Sequence, residues 1–140
     1  MTIAGQDMRE NYGTIALMGV ETFLLTQGIT SLAKVIFHRT RPYAYNPSVS
    51  IEERLQKDAR ASFFSGHTSQ AAAGCFFFAA VYQQYNPTSK ARFVVWSLAA
   101  AIPAVVGFMR VHSGKHFLTD VLVGYGVGAS VGILVPRLHR

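Results

Sequence analysis

The stretch HFLTDVLVGYGVGASVGILVP, residues 116–136, decides the fold. From Val121 to Pro136 it carries no charged side chain, and its length approaches the roughly 20 apolar residues that a membrane-crossing helix needs. The spacing predicts a helix from near Gly114 to Val135, stopped by Pro136. On it, His116, Asp120, Gly124, Gly128 and Gly132 recur every four residues and share one face. Glycines in that register let a second helix approach closely, a packing mode favoured in membranes. At the top of the stripe, His116 and Asp120 stand at i,i+4, where an imidazole and a carboxylate can meet.

The same pattern extends outward along the chain. Charged residues are absent from 61–89 and 93–109, and Glu21 is the only one between Asn11 and Ala33. Three further helices are predicted: about 14–40, ended by Pro42; about 67–85, ended by Asn86-Pro87; and about 91–108, with Pro103 inside it. Residues 43–61 form a polar connection, read as a solvated loop with a turn at 46–48 and a short surface helix in 51–60. No strand-like alternation and no repeat occurs. The fold class is therefore all-α, a transmembrane bundle of about four helices, in a chain of 140 residues that holds one domain at most. Only 14% of residues are charged, against about 25% in an average soluble domain, which favours the membrane over an unusually apolar soluble core.

The formal net charge of +6 does not mark a nucleic-acid binder. The basic residues form no run with interleaved aromatics, and several stand at helix ends beside small polar clusters. Cys75 is the only cysteine, so an internal disulfide and a cysteine-based metal site are both excluded. Met1–Gly13 lacks a basic segment leading into a short apolar core and does not read as a cleavable secretory signal, so the helices themselves would direct the chain to the membrane.

Three clusters carry the chemistry. Lys34 and Arg41 lie seven residues apart, near two helical turns, and are expected on one face of the first helix. In Ser65-Gly66-His67, a helix N-terminus would present backbone N–H groups and a hydroxyl to an anion, with His67 placed to protonate a leaving oxygen. In the third cluster, Arg110 would hold transition-state charge, while Asp120 would orient His116 by accepting from one ring nitrogen and leave the other free to attack phosphorus. His112, His116 and Asp120 also fit i, i+4, i+8, but positions eight apart lie about 12 Å along one helix, too far to share a metal ion. No metal or other cofactor is expected.

In combination these residues resemble the type 2 phosphatidic acid phosphatase family, whose signature is K-x6-R-P, then P-S-G-H, then S-R-x5-H-x3-D. Here the three motifs read KVIFHRTRP (34–42), FSGH (64–67) and MRVHSGKHFLTD (109–120). The resemblance covers about 34–136. It implies a metal-independent phosphatase acting on a lipid phosphate or an isoprenyl diphosphate within a bilayer. His116 would form a phosphohistidine, His67 would act as acid, and Lys34, Arg41, Ser65, Gly66 and Arg110 would cradle the phosphate; vanadate would compete. Phe64 replaces the usual proline and is expected to change only loop stiffness, while Met109 replaces a serine and removes a phosphate-binding hydroxyl.

Membrane members of that family usually have six helices, with the first cluster at the end of the third. Residues 1–140 therefore resemble one phosphatase-like domain without the family's first two helices, which self-association or a partner chain would supply. All three clusters are expected on one membrane side, opposite Lys90, Arg92, Arg137 and Arg140. By the positive-inside rule and the resemblance, the site would face outward from a cell or inner membrane. Two other functions fit the motifs: a vanadium-dependent haloperoxidase, and a non-catalytic membrane subunit that retains the pocket.

Overall fold

The computed structural model describes residues 11–139, so the expectations for the first ten residues and for Arg140 lie outside it. Four long helices form: α1 (Tyr12–Phe37), α3 (Gly66–Tyr85), α4 (Ala91–His112) and α5 (Leu118–Leu138). Between α1 and α3 run a 3-10 turn (Pro42–Tyr45), the five-residue helix α2 (Ile51–Leu55) and a second 3-10 turn (Lys57–Arg60). Among the described residues there is no strand. α3 packs against each of the other three long helices.

The interior is built from small and hydroxyl-bearing residues. α1 buries Met18, Thr22, Thr26, Thr30 and Ala33 along one stripe. Each threonine hydroxyl donates to the carbonyl four residues earlier at 2.7–2.8 Å, so the buried oxygens are satisfied within the helix. Thr30 and Ser69 also share a hydrogen bond of 3.1 Å between α1 and α3. Most large apolar side chains point the other way: Leu17, Val35, Phe108 and Leu122 are 62–69% exposed. Such an inside-out distribution suits a hydrocarbon surround, and the segment Tyr12–Tyr45 containing α1, together with α4 and α5, is long and apolar enough to cross a membrane. α3, 20 residues long, carries Thr68, Ser69, Gln70, Gln83 and Gln84 and is less apolar, as its central position permits. The chain is an integral membrane helical bundle.

The glycine stripe faces α3 as its spacing requires. A Cβ on Gly124 would stand 2.7 Å from the Ser65 carbonyl oxygen, and one on Gly128 or Gly132 would collide with the carbonyl oxygen of Ser69 or Ala73. Backbone therefore meets backbone along three turns of α5. At the far end, Gln84 donates to the Pro136 carbonyl at 3.1 Å.

Four helix boundaries differ from the sequence reading. α1 stops at Phe37, because His38 takes the left-handed conformation (φ 41°) and returns its N–H to the Lys34 carbonyl. Arg41 consequently lies in extended backbone beyond the helix, and Lys34 and Arg41 do not share a helix face. α4 runs on through Pro103 to His112 and so carries Arg110 in its last turn. α5 begins only at Leu118 and continues through Pro136, so His116 precedes it.

Replacing Gly128 by Ala should push α5 off α3 and destabilise the bundle by about 1–3 kcal/mol, the usual cost of overpacking. Gly126 has nothing within 4 Å of its Cβ position, so Gly126→Ala should leave thermal unfolding in detergent near wild type. Equal melting of the two variants would contradict the packing described.

Candidate active site

The three clusters meet at the end of the bundle where α1 finishes, α3 begins and the α4–α5 turn closes. Backbone bonds draw them together. Arg41 N–H donates to the Ala59 carbonyl (2.8 Å), Ser62 N–H to Arg39 (2.9 Å), Tyr43 N–H to Gly114 (3.0 Å), and Ser65 N–H to Asp120 (3.0 Å). Gly114, at φ +67°, makes the turn that follows α4, and the Arg110 carbonyl accepts from the N–H of both Lys115 and His116.

All eight sequence-predicted residues belong to this region, with different surroundings. The charges of Lys34, Arg41 and Arg110 bear on one another and on His67. Lys34 Nζ would lie 3.7 Å from a Cβ on Gly66. Arg41 is 5% exposed and held by Asp58: its Nε donates to the Asp58 carbonyl at 2.8 Å and its Nη2 to Oδ1 at 2.7 Å. Arg110 Nε is buried without a hydrogen-bond partner. His67 is exposed in the first turn of α3, where the leading N–H groups have no intrahelical acceptor. The Ser65 hydroxyl instead caps α3, accepting from Thr68 N–H at 3.4 Å and sharing a 2.9 Å bond with the Thr68 hydroxyl.

The relation of His116 to Asp120 differs from the expected helical pair. Their closest atoms, Nδ1 and Oδ2, are 3.8 Å apart, beyond a hydrogen bond. His116 Nδ1 instead meets the Ser62 carbonyl at 2.8 Å. A carbonyl can only accept, so Nδ1 carries the proton and Nε2 of the neutral ring keeps its lone pair. Asp120, fully buried, accepts from Ser62 Oγ (2.5 Å), Phe117 N–H (3.0 Å) and Arg39 Nη1 (2.6 Å). Orientation of the imidazole by the aspartate thus passes through Ser62.

Three participants escaped the sequence reading: Arg39, Ser62 and Asp58. Arg39 and Ser62 lie within three residues of a named motif position, a weak signal, while nothing in the spacing marks Asp58. Phe64 does more than stiffen a loop, since it is 3% exposed and lies against the Gly124 backbone. His112 sits on α4, stacked on Phe108, and shares no helix with Asp120. Among the described residues, no three His, Cys, Asp or Glu side chains converge as a metal site.

His116 is 2% exposed, and burial first, then the Arg41 cation, push its pKa down to about 4. Arg110 lowers it further, whereas the Ser62 bond and Asp120 act in the opposite direction. The unfolded chain takes this proton near pH 6.5, so between those values the unfolded state binds more protons than the folded one. This contribution to stability is complete above about pH 6.5 and is lost as pH falls toward 4. The melting point in detergent should drop over that interval, and His116→Gln should reduce the drop; an unchanged pH dependence in the variant would contradict a buried neutral imidazole.

Residues 16–140 match the family described as the PAP2 superfamily. The human protein named Phospholipid phosphatase 2 is 33% identical over 150 residues, covering 89% of this chain and 52% of the relative. Phosphatidylglycerophosphatase B of Bacillus subtilis is 37% identical over 82 residues, 58% of this chain and 40% of that protein. The chain thus spans about half the length of the curated relatives it matches. A crystal structure of a transmembrane PAP2 type phosphatidylglycerolphosphate phosphatase, also from Bacillus subtilis, superposes with a TM-score of 0.62 at 27% identity, covering 95% of this chain and 70% of that one.

Proposed function

The chain belongs to the PAP2 superfamily, and from that premise we propose that it is a membrane phosphatase hydrolysing a lipid phosphate, with an isoprenyl diphosphate as the second substrate class, through a phosphohistidine on His116. The observation that carries the reading is the 2.8 Å contact between His116 Nδ1 and the Ser62 carbonyl oxygen. With Nδ1–H committed to Ser62, Nε2 is the nucleophilic atom, and it is unprotonated at neutral pH. Relatives bearing phospholipid phosphatase and phosphatidylglycerophosphatase names support a lipid substrate.

In the proposed reaction, Nε2 attacks phosphorus in line with the ester oxygen. The P–O bond breaks, and His67 gives a proton to the departing alcohol or phosphate. Lys34, Arg41, Arg110 and the first N–H groups of α3 stabilise the charge gathering on the equatorial oxygens, with the unpaired Arg110 Nε supplying a donor for one of them. Water, deprotonated by the now neutral His67, then cleaves the N–P bond and releases inorganic phosphate, which restores both histidines. Asp120 carries no proton in this scheme and serves through Ser62. The site faces outward, opposite Lys90, Arg92 and Arg137.

Detergent-solubilised protein supplied with phosphatidic acid, an isoprenyl diphosphate and a water-soluble phosphate ester should release inorganic phosphate preferentially from a lipid. His116→Ala should lower kcat by about a thousandfold or more, and vanadate should inhibit the wild type. A folded chain that releases phosphate from none of the three would overturn the reading for this chain by itself.

A further inference from the structure

Arg39 stands at an unspecified position of the first motif, yet it touches both the loop before α3 and the start of α5. Its Nη1 donates to Asp120 Oδ1 at 2.6 Å and to the Thr119 hydroxyl at 2.8 Å, and its guanidinium lies 4.3 Å from the centroid of the Phe117 ring. Its carbonyl accepts the Ser62 N–H at 2.9 Å. Ser62 in turn donates Oγ to Asp120 Oδ2 and accepts the His116 ring proton at its carbonyl. Arg39, Ser62 and Asp120 therefore form a closed ring of hydrogen bonds, and His116 hangs from its Ser62 corner.

We infer that Arg39 is a positioning residue for the proposed nucleophile, fixing through Asp120 and Ser62 the direction in which His116 presents Nε2. The inference rests on the phosphohistidine reading above. Its physical content is a division of labour. Asp120 is fully buried and its salt bridge goes to Arg39, at 2.6 Å, and not to His116, at 3.8 Å. The guanidinium offsets the carboxylate's charge and holds it where Ser62 Oγ reaches it. Ser62 is thus pinned at N–H, Oγ and carbonyl, leaving its carbonyl one direction in which to accept from the ring.

Charged groups face His116 from three sides: Arg41 from the loop after α1, Arg110 from the end of α4, and Asp120 from the first turn of α5. Only Asp120 is negative, and Arg39 masks it. Arg39→Gln keeps a donor for the carboxylate but removes the charge, so the ring should gain proton affinity by about one pKa unit or more. Arg39→Lys keeps the charge and should leave it near wild type.

Two readings test this on the full chain in detergent. In phosphate-release kinetics, Arg39→Gln should lower kcat about tenfold or more with KM within about threefold, and Arg39→Lys should recover most of the loss. In an NMR titration of ring-labelled histidines, with the His116 signal assigned from His116→Gln, Arg39→Gln should move the His116 midpoint upward and Arg39→Lys should not. An unmoved midpoint in Arg39→Gln overturns the inference, as does a kcat equal to wild type. The titration needs no turnover, so an inactive wild type would defeat the phosphatase reading while the NMR still decides whether Arg39 governs His116.

Discussion

The structure depends on the absence of side chains at three positions of α5 where it meets α3. Gly124, Gly128 and Gly132 bring the α5 backbone against the carbonyl oxygens of Ser65, Ser69 and Ala73. A methyl group at any of the three would separate the helices, and that contact fixes more than stability. Because the carbonyls nest against specific glycines, α5 cannot slide along α3 by a turn, and Asp120 arrives beside Ser62 and Ser65. The Ser65 N–H bond to the Asp120 carbonyl continues the same backbone-to-backbone contact into the site. Fold and chemistry share one register.

A second constraint is the solvent. In water, an interior of alanine, glycine, serine and threonine would bury little apolar area and hold a bundle weakly. In lipid, the exposed leucines and phenylalanines are already solvated by hydrocarbon, and association rests on close approach and internally satisfied hydroxyls. Thr22, Thr26 and Thr30 meet that requirement by bonding back along α1. The charged groups of the site gather where the helices end, and Asp120, the buried carboxylate, is tied to Arg39.

Much of this was legible from residue spacing. The four-residue glycine register announced a helix face that packs on another helix, and four long helices without strands followed from the charge-free stretches. The eight predicted site residues lie in one region of the molecule. What the sequence concealed were features set by tertiary hydrogen bonds. Pro42 pointed to a helix end near Thr40, but the left-handed turn at His38 ended it earlier and carried Arg41 off the helix. His116 and Asp120 have helical spacing, yet Arg110 captures the His116 N–H and delays the start of α5, so the pair meets through Ser62. Asp58 comes from the polar connection read as a solvated loop with a short surface helix, and no local pattern foretells that its carboxylate would hold Arg41.

The chemical account reduces to one atom. If Ser62 holds Nδ1–H, phosphorus must bond to Nε2, the ring nitrogen left with a lone pair. The direct measurement is to trap the intermediate: a turnover mixture with isotopically labelled lipid phosphate, quenched in alkali within milliseconds, digested, and mapped by mass spectrometry with 31P–15N coupling to identify the ring nitrogen. The account predicts phosphate on Nε2 of His116. Phosphate on Nδ1, on His67 or on any other side chain would contradict it.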